Sequence, residues 1–415
     1  MTARPRAVRL RAYRVGFGDC LLVTVTYGSA LPDGRRARHL LVDCGTAETA
    51  AGGPSLGQIA AKVAEHCEGR LDVVVATHRH RDHVGGFGDP EARAVLAPLA
   101  PRVVVRPWTD TARQDGLDAR SRDVAALLDA AHGVAGALPR PAFDSDQQAR
   151  QVERLATLVR AEPEAAPLLD EWGRAGRTEY VAAGGTIDLG EELPGVKVQV
   201  LGPPGGEEMS ALLGAARGPV EPWLRLAASD ELPALLGQPP PAGWAEAARL
   251  VADPGGVGAA EWLLRTLRTR RVTQGLEVVE ALGDLVYDTS VALLVTVGTR
   301  TLLLPGDARA AGPGRRLADV DVYKVSRHGD RAGTSRRLLD LWRHRAGSMH
   351  PLVSVLLTEP KVVRAVPDDG LLRDLAALGP VHRTDQLPDR VWWFDLEAPT
   401  RGRDPFAFSA GPVAP

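Results

Sequence analysis

Thr77-His78-Arg79-His80-Arg81-Asp82-His83-Val84-Gly85-Gly86 follows directly on the apolar run Leu71-Asp72-Val73-Val74-Val75-Ala76. A short run of β-branched and aliphatic residues that stops at polar ones reads as a buried strand delivering a loop. Three imidazoles and one carboxylate within six residues are the donors that hold a borderline-soft divalent cation. The chain has only ten histidines in 415 residues, so this clustering is not a chance polar loop. His78 and His80 stand two apart; in extended chain they point the same way and can share one ion. Asp82 and His83 come next at a turn and can aim at a second ion beside the first. Gly85-Gly86 then lets the backbone turn tightly under the site and begin a helix.

Outward from this loop, the N-terminal side reads as strands. Residues 7–15 alternate apolar and polar, Gly16-Phe17-Gly18-Asp19 makes a turn, and Cys20–Tyr27 returns. His39–Gly45 is a third strand after a Pro-Asp-Gly loop, giving an antiparallel meander. Asp43 within it either orients the metal loop through a hydrogen bond or caps the turn at Gly45. Residues 55–67 have helical spacing (Leu56, Ile59, Ala60, Val63, Ala64). Beyond the loop, a strand at 102–106 leads into a different composition. The stretches 110–185 and 205–285 are helix-prone, with Val152, Leu155, Leu158 and Val159 at helical spacing and Trp223, Trp244 and Trp262 as scattered anchors. They read as two helical insertions, either lids over the site or surface elaborations. The core is expected over about 7–110, 190–204 and 285–397 of a single domain.

Strands resume at Val196–Pro203, Asp288–Val297 and Thr301–Leu304, the last ending at Pro305-Gly306-Asp307. A strand at Val320–Ser326 delivers Arg327-His328-Gly329-Asp330. Helices are expected at 335–343 and 369–378, and strands at 352–358 and 391–396.

With these residues in place the chain resembles the metallo-β-lactamase-fold hydrolases, whose signature is H-x-H-x-D-H. Further matches are similar to the branch that includes the soluble nuclease-like domain of the competence protein ComEC. They are the openings "V-G-x-G-D" and "L-L-V-D-C-G", then "L-L-x-G-D-A" at Asp307, "D-V-L-K-V-x-H-H-G-S" at 321–330, and "x-R-T-D" ending at Asp385. They cover about residues 10–110, 190–205 and 285–396. The resemblance implies an α/β (α+β) chain folded as a four-layer αββα sandwich. It also implies a cofactor of two divalent metal ions, Zn²⁺ in the first place and Mn²⁺ as the alternative. Metal one takes His78 and His80; metal two takes Asp82 and His83, with Asp307 bridging and His328 completing it. Asp82, His83 and Asp307 would carry the reaction, with a metal-bridged hydroxide as nucleophile.

Two departures stand out. Arg327 and Asp330 replace the pattern's residues around His328, so either the site is tuned differently or a substrate contact has changed. The third histidine of metal one is the other gap. His132, before Gly133, is its candidate; otherwise water, substrate or a switch to Mn²⁺ completes the ion. Thr334 and Ser335 open a helix and offer hydroxyls and amides to a phosphate, although an N-cap explains Ser335 equally. Lys324 pairs either with phosphate or with a core carboxylate. His39, His66, His344, His350 and His382 are read as surface or core histidines.

Composition bounds the function. A net charge of -2 gives no global pull towards nucleic acid or an anionic membrane. Only four of the fifty basic residues are lysines, a coding bias more than a function. Three scattered cysteines (Cys20, Cys44, Cys67) do not make a disulfide framework and suggest a reducing compartment. No run approaches the roughly 20 apolar residues of a membrane span, and no early segment has a signal peptide's apolar core. The expectation is a cytoplasmic hydrolase without membrane partner, acting on a phosphodiester of nucleic acid or nucleotide. The alternatives are a thioester, lactone or other carbonyl substrate, or a metal-containing binding module whose catalysis has decayed.

Overall fold

The computed structural model describes residues 4–50, 52–110, 162–209, 287–309, 317–355, 366–402 and 404–412. The chain divides into two compact units. The first comprises Met1–Pro107, Glu162–Pro203 and Ser290–Pro415; the second comprises Trp108–Ala161 and Pro204–Thr289. Described residues of the second are few; there the Trp108 indole donates to the Pro204 carbonyl at 2.9 Å. His132, Trp223, Trp244, Trp262 and the helically spaced residues at 152–159 lie outside the described residues.

The first unit is a mixed α/β structure with two sheets. The expected meander is present as β1 (Pro5–Tyr13), β2 (Cys20–Tyr27) and β3 (Ala37–Cys44), antiparallel and paired Leu10 to Val23 and Val23 to Leu40. Helix α1 (Leu56–His66) crosses over to β4 (Val73–Val75), parallel to β3. Ser55 caps α1, its hydroxyl taking the Gln58 amide while the Gln58 side chain returns to the Ser55 N–H, a closed capping box. Helices α2 (Arg81–Gly88) and α3 (Pro90–Leu96) precede β5 (Val103–Pro107), parallel to β4. Val73–Val75 and Val103–Val105 are wholly buried, as parallel strands covered on both faces must be.

Two further elements join this sheet. Helix α4 (Ala166–Ala175) leads to β6 (Arg177–Val181), which pairs parallel to β5 at its edge. Both fall in the stretch read from sequence as insertion up to residue 185. Arg-Thr-Glu-Tyr-Val carries only one fully buried side chain, so its composition gave no strand signal. The sheet is closed on the other side by β14 (Val391–Pro399) against β1 and by β15 (Ala407–Pro412), beyond the expected end of the core at 397.

The second sheet begins with β7 (Thr186–Ile187), β8 (Val196–Gly202), β9 (Ala292–Val297) and β10 (Arg300–Leu304), antiparallel in turn. It continues through the parallel strands β11 (Val322–Lys324), β12 (His350–Val353) and β13 (His382–Arg383). Helices α5 (Arg336–Trp342) and α6 (Asp369–Ala376) alternate with these strands. Residues 356–365, where the expected strand 352–358 would end, lie outside the described residues.

Three hydrophobic clusters hold the unit together. One mixes side chains of both sheets, such as Leu10, Val23 and Phe394 with Val198, Leu293 and Leu302. The second packs Leu41, Val74 and Val104 against Ile59, Val63, Phe87 and Trp172 of the helices. The third packs Leu303, Tyr323 and Val353 against Leu338, Trp342, Leu371 and Leu375. Cys20, Cys44 and Cys67 are free and buried. Among the described residues no helix is long and apolar enough to cross a membrane.

Candidate metal centre

The valines of β4 end at Ala76, whose amide still pairs with the Val105 carbonyl at 3.0 Å. The chain then leaves the sheet, and Thr77 anchors the departure. Its amide and hydroxyl donate to the two carboxylate oxygens of Asp43 at 2.8 and 2.7 Å. His78 and His80 follow, both buried, with Nε2 of the first 3.0 Å from Nδ1 of the second. Two nitrogens on one tetrahedral ion stand about 3.3 Å apart, so this pair has the spacing of shared ligands.

Helix α2 begins at Arg81, earlier than the glycine pair was expected to start it. Asp82 therefore sits in the first helical turn, where a carboxylate is favoured by the unpaired amides. Gly85 and Gly86 lie inside the helix. Their use is close approach: a Cβ on Gly86 would stand 2.6 Å from the Cys44 carbonyl and 2.8 Å from its sulfur. Gly45 similarly meets the backbone of His83, at 2.6 Å. The ends of β3 and α2 are thus pressed together, which brings Asp43 onto His83, Oδ2 to Nδ1 at 2.7 Å. Asp43 has φ of 58°, a left-handed conformation costly for a side-chain-bearing residue. Of its two sequence readings, orientation of the loop is the one the geometry selects.

The second sheet supplies the remaining groups. Asp307 follows β10 after Gly306, and His328 follows β11. Arg327 and His328 are both left-handed, at φ of 51° and 52°. His328 Nδ1 donates to the Ser354 carbonyl at 2.8 Å, which leaves Nε2 for the site; Nε2 lies 3.0 Å from Asp82 Oδ2. The donor atoms of Asp82, His83, Asp307 and His328 all lie within 4.8 Å of one another, and all four residues are buried. His78 joins the group through His83, ring centroids 4.1 Å apart. All six histidines and aspartates singled out as ligands in the sequence thus meet in one place, while His132 lies outside the described residues.

The electrostatics belong to a crowded ionised cluster. Burial alone would push His83 and His328 down and Asp82 and Asp307 up. Mutual attraction wins: both imidazoles are held above their usual range and both carboxylates below theirs. His78 goes the other way, driven well down by burial and by the neighbouring His83 and His80. Asp82 Oδ1, Asp307 Oδ2 and His83 Nε2 are buried with no hydrogen-bond partner among the described residues. Unsatisfied buried carboxylate oxygens are costly unless a cation meets them, so the donor set could hold a metal ion.

The groups read as phosphate contacts are placed elsewhere. Lys324 is 1% exposed and faces Asp19, with Nζ also 3.2 Å from the Gly306 carbonyl and 3.5 Å from Asp307 Oδ1. Burial opposes its charge, but Asp19 and Asp307 hold it above the usual lysine range. Of its two sequence readings, the core carboxylate is the partner. The Thr334 hydroxyl pairs with the Tyr323 phenol at 2.8 Å, and Ser335 caps α5 through the Leu338 amide at 3.2 Å. Both hydroxyls thus have partners within the fold. Arg327 is buried and stays beside the cluster: its amide donates to Asp307 Oδ1 at 3.0 Å and its Nε to the Asp307 carbonyl at 3.2 Å.

Asp19 is the site residue that sequence reasoning passed over. It was read as part of a turn, yet its carboxylate lies 3.6 Å from His83 Nδ1 and 4.0 Å from His328 Nδ1 as well as against Lys324. Its amide donates to the Asp82 carbonyl at 2.9 Å. The signal available was a carboxylate directly after a Gly-x-Gly turn opening a buried strand. His382 stacks on His350 and Phe408, and none of its ring contacts is a residue of the centre. Compared with models of protein families the chain matches none, and comparison with curated proteins finds no match.

Proposed function

We propose that the chain is a dinuclear metal-dependent hydrolase of the metallo-β-lactamase fold, similar to the ComEC-like branch, acting on a phosphodiester. The fold part draws on the three clusters: one core between two sheets and one between each sheet and its helices is the arrangement of an αββα sandwich. The observation that carries the function is the convergence of Asp82, His83, Asp307 and His328, from both sheets, in one buried cluster in which Asp82 Oδ1, His83 Nε2 and Asp307 Oδ2 have no hydrogen-bond partner among the described residues.

His78 and His80 would hold one ion, and Asp82, His83 and His328 the other, with Asp307 between them. Bound divalent ions supply Lewis acidity and lower the pKa of water. The protein's own part is orientation. Asp43 fixes the His83 tautomer, the Ser354 carbonyl fixes that of His328, and Thr77 fixes Asp43. Asp82 Oδ1, without another partner, is the acceptor placed to orient a nucleophilic water. The Arg327 guanidinium, buried beside the cluster with its Nε on the Asp307 carbonyl, is a group that could meet a phosphoryl oxygen. The phosphodiester reading rests on the motif resemblance and on this arginine. The net charge of -2 favours a nucleotide or a short strand over long nucleic acid.

A second reading, a metal-containing binding module without turnover, has one observation in its favour. Arg327 stands where the resembling pattern has a histidine, and it holds Asp307 through both backbone and side chain.

Elemental analysis of wild type and Asp307→Ala, followed by a screen of phosphodiester, thioester and lactone reporters, tests the proposal. About two metals per chain are expected, with a clear fall in the variant and a loss of phosphodiester turnover of at least about 100-fold. A wild type that binds no metal would refute the reading. Metal without turnover would favour the binding module, and faster thioester or lactone cleavage would move the substrate to a carbonyl compound.

A further inference from the structure

We propose that Lys324 is a positioning residue: it holds the Oδ1 oxygen of Asp307 and so leaves Oδ2 alone to face the metal cluster. The inference rests on the metallohydrolase reading and assigns within it a role to a side chain that makes no substrate contact.

The two oxygens of Asp307 have different surroundings. Oδ1 receives the Arg327 amide at 3.0 Å and has the Lys324 ammonium at 3.5 Å. Oδ2 has no hydrogen-bond partner among the described residues and lies 3.4 Å from His83 Nε2 and 3.8 Å from His328 Nε2. A carboxylate can rotate to exchange its oxygens; two donors on one oxygen select a single orientation. Lys324 is itself held, since Nζ also meets the Gly306 carbonyl and the Asp19 carboxylate. Gly306 is as tightly placed: it has φ of 56°, and a Cβ there would stand 2.8 Å from Thr77.

Asp19 extends the connection across the centre. Its amide donates to the Asp82 carbonyl, and its own carbonyl accepts the Gly45 amide, both at 2.9 Å. One ammonium therefore ties the Asp307 loop of the second sheet to the turn that abuts the start of α2 in the first. A lysine on a flexible stem placed at 1% exposure is costly unless its three donors are all used, and here three acceptors surround it. The competing account is that Lys324 merely neutralises Asp19.

Cobalt binding to chelator-stripped protein separates the two accounts. The wild type, Lys324→Met, and the pair Lys324→Met with Asp19→Asn are titrated with Co²⁺, recording the visible absorption spectrum and the affinity by competition. The paired substitution removes one buried charge of each sign, so the net charge of the site is unchanged, and it is expected to fold with the circular dichroism of wild type. Its cobalt affinity should still fall by about tenfold or more, with an altered spectrum, because Asp307 has lost its anchor. Wild-type affinity and spectrum in the paired variant would overturn the assignment and leave Lys324 as the counter-charge of Asp19. Should the paired variant not fold, Lys324→Arg decides: it keeps the charge but changes the reach and shape of the donor, so an unchanged spectrum overturns the proposal and a changed one supports it. Failure of the wild type to bind cobalt would sink the underlying metal reading instead, and the assignment with it.

Discussion

Asp43 shows how a single residue can be both strained and heavily engaged. It is fully buried and left-handed, and its two oxygens take the Thr77 amide and hydroxyl and the His83 imidazole. Burial drives its pKa up, and contact with His83 works against that rise. Asp43→Asn keeps the shape but replaces one oxygen by an NH₂ that cannot accept from His83 Nδ1. Metal affinity should fall by about 10- to 100-fold with little change in the far-ultraviolet circular dichroism. An equilibrium metal titration of the variant matching wild type would show that His83 needs no such support. At this scale the sequence was informative about which residues gather at the candidate centre and poor about what surrounds them. His78, His80, Asp82, His83, Asp307 and His328 were readable because imidazoles and carboxylates clustered at strand ends. Lys324, Thr334 and Ser335 were equally suggestive of phosphate, because a side chain's type does not say which way it faces. Only packing showed that Lys324 points at Asp19 and that Thr334 points at Tyr323.

The elements that carry these residues were legible in proportion to their burial. β1 to β5 and β8 to β11 are apolar or apolar-alternating runs ended by turns, legible in the sequence to within a few residues. β6 and β15 were not legible, because edge strands carry little apolar signal: Tyr180 and Phe408 are the exposed large hydrophobics. The glycine pair in α2 was noticed for the wrong reason. Glycine inside a helix costs about 1 kcal/mol in propensity relative to alanine, so Gly86 needs a compensating use, and that use is contact with Cys44. Gly86→Ala should gain propensity yet lose stability, because the added methyl would meet the Cys44 carbonyl and sulfur at well under contact distance. A net destabilisation of about 1–3 kcal/mol is expected, as for other overpacked sites, together with weakened metal binding as α2 carries Asp82 and His83 outwards. Gly28→Ala is the control, with open space around it and no left-handed φ. Denaturant midpoints for the two variants check the claim, and a Gly86→Ala protein as stable as wild type would contradict it.

On the scale of the first unit, the candidate centre is a junction between sheets. Asp82 and His83 arrive on the helix after β4, and Asp307 and His328 arrive on the loops after β10 and β11. Four buried residues whose charges depend on one another make a poor core without a cation, because one carboxylate oxygen of Asp82 and one of Asp307 are buried with no hydrogen-bond partner among the described residues. A bound metal would therefore act on stability as well as on chemistry. By mass action, metal at a thousandfold excess over its dissociation constant adds about 4 kcal/mol to the folded state. Spread over a unit of this size, that amounts to several degrees in thermal midpoint. Stripping the wild type with a chelator should lower the midpoint by that amount, and stoichiometric Zn²⁺ should restore it. Asp307→Asn separates this effect from general chelator sensitivity: with the Asp307 carboxylate neutralised, the midpoint should respond only weakly to chelator or to added Zn²⁺. The comparison is a pair of melting curves for each protein, with and without metal. If both proteins shift alike, the stabilising ion binds somewhere other than between the sheets; if neither shifts, the buried carboxylates are stabilised by the surrounding imidazoles, Lys324 and Arg327 without help from a metal.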